Sequence, residues 1–332
     1  MNTVEAVFQL LNVDHFVSGQ VMADELEVSR NAIWKAISQL KKRGVSVYAV
    51  TGKGYKVPQV YEILQKNLIL KTLKGSNHGF DVELLFETDS TNQNLLKKSI
   101  LDDKLHICAS EWQSQGRGRL QRQWLAPMAS HLSFSFARYW HHDFSLLSGM
   151  SLAAGVSVVK ALRLLGIENV MLKWPNDIVY PTEQGLAKLG GILVEMRGNA
   201  DSGMQWVIGI GLNIADISHL QQQINQQALG LANIHPAPVS RNTLLSTIVL
   251  EWLDCEKKLI EQGLGAIVAD WRAYDALCQQ PVVMEHQGKI IKGLSMGVDE
   301  RGQLLVKNEK GVTAYGGGEV QLKKSMATDV KY

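Results

Sequence analysis

The stretch SRNAIWKAISQLKKRGVSVYAVTGKGYKV, residues 29–57, holds seven basic residues (Arg30, Lys35, Lys41, Lys42, Arg43, Lys53 and Lys56) and no acid. All the acids of the first sixty residues, Glu5, Asp14, Asp24, Glu25 and Glu27, precede it. Ser29 suits a helix N-cap, and Ile33, Ile37 and Leu40 then recur at helical spacing, which leaves Arg30, Asn31, Trp34, Lys35, Ser38 and Lys41 on other faces. After Gly44, the alternating VSVYAV, the turn TGKG and YKV read as a hairpin. Two shorter apolar-periodic segments come first, one carrying Val4, Val7, Phe8 and Leu11, the other running from Gly19 to Leu26 with a tight link at Glu27 and Val28. Helix, helix, turn, helix and wing make a winged helix-turn-helix. Such a domain lays its second helix in the major groove and brings basic wing residues to phosphates. Ser29, Arg30, Asn31, Trp34, Lys35 and Lys53, at the wing tip, are therefore the candidate DNA-binding residues. The plainer alternative is a solvated basic helix in a small packing domain. Pro58 closes the module.

The rest of the chain is balanced. A net charge of +2 over 332 residues excludes a uniformly cationic protein, so a basic partner surface has to be local. The early acids exclude a secretory signal peptide. The apolar stretch WVIGIGLNIA from Trp206 is about half of what a bilayer requires, and no membrane span is expected. Cys108, Cys255 and Cys278 are odd in number, far apart and without metal-ligand spacing, which points to a reducing, cytoplasmic compartment.

From Tyr61 to about Gln280, strand candidates (VELLFET, LHICASEW, HLSFSFARYW, VMLKW, GGILVEM, QWVIGIGLNI) mix with apolar helices at Phe144–Leu165 and Arg241–Gln262. Without regular strand and helix alternation, an α+β mixed sheet is favoured over a doubly wound one. The glutamine-rich residues 221–227 read as an exposed helix. From Pro281, five short alternating segments separated by glycine turns predict a small β-barrel, and the tail from Ser325 should fray. The domains are thus 1–60, 61–280 and 281–324, with a tail over 325–332.

Five segments carry chemistry. EWQSQGRGRLQRQW, residues 111–124, follows a strand; its glycines allow close backbone approach, and Arg117, Arg119 and Arg122 offer guanidinium forks suited to phosphate oxygens. It lacks the ending of a Walker loop and the third glycine of a dinucleotide fingerprint, so a mobile basic surface loop is the alternative. DSTNQ, residues 89–93, can cap a helix or face a polar ligand. KWPND, residues 173–177, holds Asn176 and Asp177 in a turn at a sheet edge. In AKLGGILVE, Lys188 precedes Gly190 and Gly191 and a strand follows. In VIGIGLN, Gly209 and Gly211 share a strand face, leaving either a slot for a slender ligand or close sheet packing.

In this order and behind a winged helix, DSTNQ, QxxGRGR with Arg122 and Trp124, KWPND, AKLGGILVE and GIGLN resemble the bifunctional biotin protein ligases that double as the biotin operon repressor. The resemblance covers essentially the whole chain. It implies a central α/β domain similar to class II aminoacyl-tRNA synthetases and biotin/lipoate ligases, and a Src-homology-type C-terminal barrel. It also implies activation of biotin by ATP and Mg2+ to biotinyl-AMP, then transfer to a lysine of biotin carboxyl carrier protein. Biotinyl-AMP would act as corepressor of a homodimer on operator DNA. Carried over residue by residue, Lys188, Arg117 and Arg119 are catalytic. Ser90, Thr91, Asn92, Gln113, Arg117, Gly118, Arg119, Lys188, Gly191, Gly209 and Gly211 form the biotin side. Arg119, Arg122, Trp124, Asn176, Asp177 and Asn213 form the nucleotide side, with Asp177 toward the metal. The arginine loop is expected to be mobile when empty. Two departures stand out: Gln121 occupies the place of a third loop glycine, and the hairpin between Asp177 and Lys188 is longer. A biotin sensor without catalysis and a lipoate ligase are the competing readings.

Overall fold

The computed structural model describes residues 2–199, 203–218, 220 and 226–322. Most of the glutamine-rich stretch, residues 221–225, and the tail from residue 323 lie outside the described residues.

The N-terminal domain follows its sequence signals. Helices α1 (Thr3–Leu10), α2 (Gly19–Glu25) and α3 (Arg30–Lys42) are capped by Asn2, Ser18 and Ser29, whose side chains accept the N–H groups of Glu5, Gln20 and Ala32. Each cap satisfies a donor that a helix start leaves free. Helix α3 buries Ile33, Ala36, Ile37 and Leu40, the predicted stripe plus one alanine. The wing is an antiparallel pair, β1 (Tyr48–Val50) with β2 (Gly54–Lys56). Gly54, at φ +111°, lies so close to the Val17 carbonyl that a Cβ would overlap it.

The central domain runs α4 (Lys66–Leu73), β3 (Phe80–Thr88), α5 (Thr91–Lys97), β4 (Leu105–Gln113), β5 (His131–Trp140), α6 (Met150–Leu164), β6 (Met171–Lys173), β7 (Asp177–Thr182), β8 (Gly185–Asn199), β9 (Gly203–Asn213), α7 (Arg241–Gln262) and α8 (Leu264–Arg272). Its seven-stranded sheet has the order β3-β4-β5-β9-β8-β7-β6, with β3 and β4 parallel and the other neighbours antiparallel. That is the mixed sheet predicted. The sequence HLSFSF explains its two faces, because alternate residues of a strand point to opposite sides. Phe134 and Phe136 face the long helices, with the Phe136 ring 5.1 Å from that of Trp252 on α7. Ser133 and Ser135 face the other way, and Ser135 Oγ reaches Asn92 on α5. One face holds the apolar core; the other is left small and polar.

Two expectations change. The helix expected from Phe144 begins as a 3-10 turn, Phe144–Gly149, capped by the Asp143 side chain, before α6 starts at Met150. Phe144–Leu164 is long and apolar enough to cross a membrane by composition, which the sequence reading missed, yet 72% of its most apolar window is buried inside this fold. It is the core helix under the sheet. Second, Lys188 does not precede a strand but sits inside the fifteen-residue β8.

The C-terminal strands β10 (Pro281–His286), β11 (Lys289–Val298), β12 (Leu304–Asn308), β13 (Gly311–Tyr315) and β14 (Glu319–Leu322) pair as one antiparallel sheet in the order β13-β12-β11-β10-β14. It meets the central domain where Trp174 Nε1 donates to the Gly302 carbonyl at 3.0 Å and Arg272 donates to that of Val298.

Candidate functional site

Sheet register assembles the site. Ser133 on β5 pairs with Gly211 on β9, Gly211 with Gly191 on β8, and Gly191 with Asp177 on β7. Two residues along, Ser135 pairs with Gly209 and Gly209 with Leu193. This lane of small residues crosses the polar face of the sheet. Its glycines are required: a Cβ on Gly209 would overlap the Asn92 amide, and one on Gly211 would come 2.7 Å from the Trp124 ring.

At one end of the lane the DSTNQ residues are buried, with Ser90, Thr91 and Asn92 only 6, 3 and 3% exposed. Ser90 occupies the N-cap of α5 without a side-chain cap bond, so capping is not what these side chains do. They build a chain of hydrogen bonds instead. Thr91 N–H donates to Gln113 Oε1 at 2.8 Å, Thr91 Oγ1 lies 2.7 Å from Ser135 Oγ, and Ser135 Oγ donates to Asn92 Oδ1 at 2.5 Å. Asn92 Nδ2 then donates to Glu195 Oε2 at 2.8 Å, and Arg117 donates to Glu195 Oε1 at 3.3 Å. A hydroxyl has one proton. Ser135 gives its proton to Asn92, so Thr91 is the donor to Ser135, and the chain has one direction ending on the Glu195 carboxylate.

Over the lane lies the arginine loop, itself a small hairpin: Trp124 N–H donates to the Gly116 carbonyl at 2.8 Å and Gly118 N–H to that of Arg122 at 2.7 Å. Its tip is the turn Arg119–Gln121, where Leu120 and Gln121 have φ of 53° and 59°. A left-handed backbone at Gln121 explains why a glycine suits that place. Trp124 lays its indole across Gly211. Arg119 donates to Asn176 Oδ1 at 3.4 Å.

At the far end Asp177 holds two ammonium groups, Lys188 Nζ at 2.6 Å and Lys173 Nζ at 3.1 Å. Burial pushes the Asp177 carboxyl up, but both lysines outweigh it and leave its pKa below the ordinary value. Gly191 lies against Lys188, whose Nζ is 3.5 Å from the place a Cβ would take, an ordinary contact distance. The Lys188 backbone is tied on its other side, donating to the Gln227 carbonyl and accepting from Leu229.

The structure therefore brings Ser90, Thr91, Asn92, Gln113 and Arg117 to one end, and Arg119, Asn176, Asp177 and Lys188 to the other. Gly191, Gly209 and Gly211 lie between them, and Gly118 stays uncrowded in the loop. Arg122 turns away to Glu319 of the C-terminal sheet at 2.6 Å. Asn213 is 5% exposed and donates to the Leu229 carbonyl, so it braces the segment beside Lys188. Magnesium does not fit Asp177 as it stands. Both of its oxygens already neutralise lysines, so an ion there would have to displace an ammonium group. Sequence reasoning missed Glu195, Ser135 and Lys173. Glu195 and Lys173 lie inside the quoted motifs, and the serine alternation in HLSFSF was the available signal for Ser135.

On the N-terminal domain Ser29, Arg30, Asn31, Lys35 and Lys53 are exposed, as is Trp34 at 58%. Arg43, counted in the basic surface, does not belong to it: it turns inward to Glu87 at 2.6 Å.

The winged helix and this ligase-like site occur together in known proteins. A profile described as an HTH domain matches residues 3–56, and one for the biotin/lipoate A/B protein ligase family matches residues 85–213. The bifunctional ligase/repressor BirA of Escherichia coli is 33% identical over 98% of both chains. The chain belongs to the bifunctional biotin ligase/repressor family. A Bacillus spizizenii member of the family is 26% identical over 92% of this chain and 94% of its own. The biotin protein ligase of Aquifex aeolicus in complex with biotin and ATP, at 25% identity, superposes with a TM-score of 0.61 over 74% of this chain and 99% of that one.

Proposed function

We propose that the protein is a biotin protein ligase which activates biotin with ATP and passes it to a lysine of biotin carboxyl carrier protein, and a DNA-binding repressor that takes biotinyl-AMP as corepressor. One observation carries the enzymatic half. The small-residue lane runs from the Thr91–Asn92–Gln113 cluster to Lys188 beneath a loop that supplies Arg117, Arg119 and Trp124.

In the first step a biotin carboxylate oxygen bonds to the α-phosphorus and the bond to pyrophosphate breaks; in the second a lysine amine attacks the acyl carbon and AMP leaves. Two anions meet in the first step, so fixed positive charge must await them. Arg117, Arg119 and Lys188 supply it. Ser90, Thr91, Asn92 and Gln113 hold the acid's polar head. Trp124, Asn176 and Asp177 would line the nucleotide side, with Arg122, ion-paired to Glu319, and Asn213, bonded to the Leu229 carbonyl, bracing its edges. The arginine loop, ordered over the anhydride, keeps water away.

The same reading gives a winged helix over 1–60, a ligase domain over 61–280 akin to class II aminoacyl-tRNA synthetases, and a Src-homology-type barrel over 281–324. It also gives a cytoplasmic location and a corepressor-bound homodimer, whose two-fold axis matches a palindromic operator. The test is transfer of radiolabelled biotin to an apo carrier domain with ATP and magnesium. Incorporation supports the ligase; binding of biotin without incorporation leaves a sensor, and preference for lipoate replaces the substrate.

A further inference from the structure

Arg43 is the C-cap residue of α3, the helix assigned to DNA, yet its side chain is 12% exposed and belongs to the ligase domain's surroundings. Its guanidinium donates to Glu87 Oε2 at 2.6 Å and stands 5.1 Å over the Trp112 ring. Glu87 on β3 and Trp112 on β4 are cross-strand partners. The next rung pairs Thr88 with Gln113. Immediately beyond it, Ser114 N–H donates to the Thr88 carbonyl and Gln115 N–H to that of Asp89. Arg43 thus presses on the last rungs before DSTNQ and before the arginine loop.

The same turn grips the loop's other stem. The Arg43 carbonyl accepts the Met128 N–H at 2.8 Å, while Ala129 N–H donates to Glu111. Met128 and Ala129 are buried in the hydrophobic core of the N-terminal domain, beside Phe8, Ile37 and Leu40. Gly44, at φ +90°, lies so close to Pro127 that a Cβ would come 2.6 Å from its ring. Both stems of the loop carrying Arg117, Arg119 and Trp124 are therefore fixed to one turn of the DNA-binding domain. A guanidinium that is stacked and ion-paired at once orients its neighbours more tightly than a point charge does.

We propose that Arg43 is a positioning residue of the biotin site, supplied by the DNA-binding domain, which holds the β3–β4 ends and the arginine-loop stems in the geometry that receives biotin. Linkage is reciprocal, so occupancy of the site biases the setting of α3 by the same free energy. The inference rests on the biotin reading above.

The test uses the full chain with Arg43→Ala, Arg43→Lys, and the swap Arg43→Glu with Glu87→Arg. Pyrophosphate release gives KM for biotin, KM for ATP and kcat separately. Arg43→Ala is expected to raise KM for biotin about tenfold and to change KM for ATP and kcat by less, because the loop that carries Arg117, Arg119 and Trp124 shares these stems. The swap should recover part of the loss. Hydrogen exchange without ligand is the second arm: Arg43→Ala should deprotect the amides of Ser114, Gln115, Met128 and Ala129. An unchanged KM for biotin together with unchanged protection overturns the proposal, as does an equal loss in every kinetic constant. If the wild type releases no pyrophosphate with biotin, the substrate reading fails, and the exchange arm alone decides the positioning role.

Discussion

Lys188 Nζ stands 2.6 Å from Asp177 Oδ1, and Lys173 Nζ approaches the other oxygen of the same carboxylate at 3.1 Å. Lys188 is thereby oriented before any substrate arrives, and a second lysine keeps Asp177 from neutralising it fully. Preorganised charge of this kind contributes to catalysis without reorganisation at the moment of reaction. Lys188→Ala is expected to lower kcat for adenylation about 10²–10³-fold while leaving the melting temperature near that of the wild type. Asp177→Asn, which keeps the shape but frees both lysines, should lower it less. Pyrophosphate release checks both. Near-normal turnover of Lys188→Ala would reduce the lysine to a bystander.

At the loop tip, Gln121 adopts φ 59° where a glycine would be unstrained. A left-handed conformation costs a non-glycine residue about 1–2 kcal/mol, against about 0.5–1 kcal/mol of extra backbone entropy lost by glycine. Gln121→Gly should therefore raise thermal stability slightly, and Gln121→Val, whose branched side chain tolerates this region worst, should lower it. Melting temperatures in the reverse order would mean that the turn is not held this way in solution.

Much of this was legible because it is local. Residues 241–262 carry a helical apolar period from a serine cap to Gly263, and α7 spans those positions. The strand segments alternate, and their glycines mark the turns. The convergence of Asn92, Ser135 and Glu195 was not legible, since these residues are 43 and 103 positions apart and only the register of β5, β9 and β8 brings them together. Lys188 was misplaced because the Gly190–Gly191 pair looks like the start of a strand, whereas it lies within one, where Gly190 lets the Gly211 backbone pass close. Arg43 carries the same charge as Lys41 and Lys42; composition cannot tell which side of a helix end turns inward.

For the DNA-binding face, Arg30 and Lys53 separate two roles. Arg30 is exposed at the start of α3 and Lys53 is exposed in the wing turn; on the proposed function the first would read bases and the second would meet phosphate. Arg30→Ala should cost about 1–3 kcal/mol of operator binding and relax specificity, whereas Lys53→Ala should weaken all sequences alike and reduce the salt slope by about one. Both variants should ligate normally. Loss of ligation in either would contradict the division of labour.

Asp275 gives the fold a pH dependence of definite sign. It sits in the turn joining the central domain to the C-terminal sheet, where burial raises its pKa to about 6 despite hydrogen bonds from the Leu277 and Cys278 amides. Its Oδ2 has no partner. The folded state therefore binds this proton more tightly than the unfolded chain, so the contribution is complete below the ordinary aspartate value of 3.8 and is lost as pH rises through about 6. Asp275→Asn, neutral at every pH, should match the wild type near pH 4 and exceed it in denaturant midpoint at pH 7. A constant difference between the two proteins across that range would rule out titration of this carboxyl.

Gly209 and Gly211 lie on the same lane but face different neighbours, and this separates their effects. A Cβ on Gly209 meets the Asn92 amide, which is fixed by Ser135, Glu195 and the Leu193 carbonyl and cannot retreat without breaking the hydrogen-bond chain. A Cβ on Gly211 meets the Trp124 ring, which is carried by a loop and can move. Gly209→Ala is therefore expected to weaken biotin binding by two orders of magnitude or more, because buried polar groups are left unpaired at about 1–3 kcal/mol each. Gly211→Ala should change biotin affinity less and, on the proposed function, disturb nucleotide binding through Trp124. Calorimetric titration with biotin, alone and with a non-hydrolysable ATP analogue, distinguishes the two. Equal biotin affinity in Gly209→Ala and wild type would mean that Asn92 and its chain of partners take no part in holding the acid.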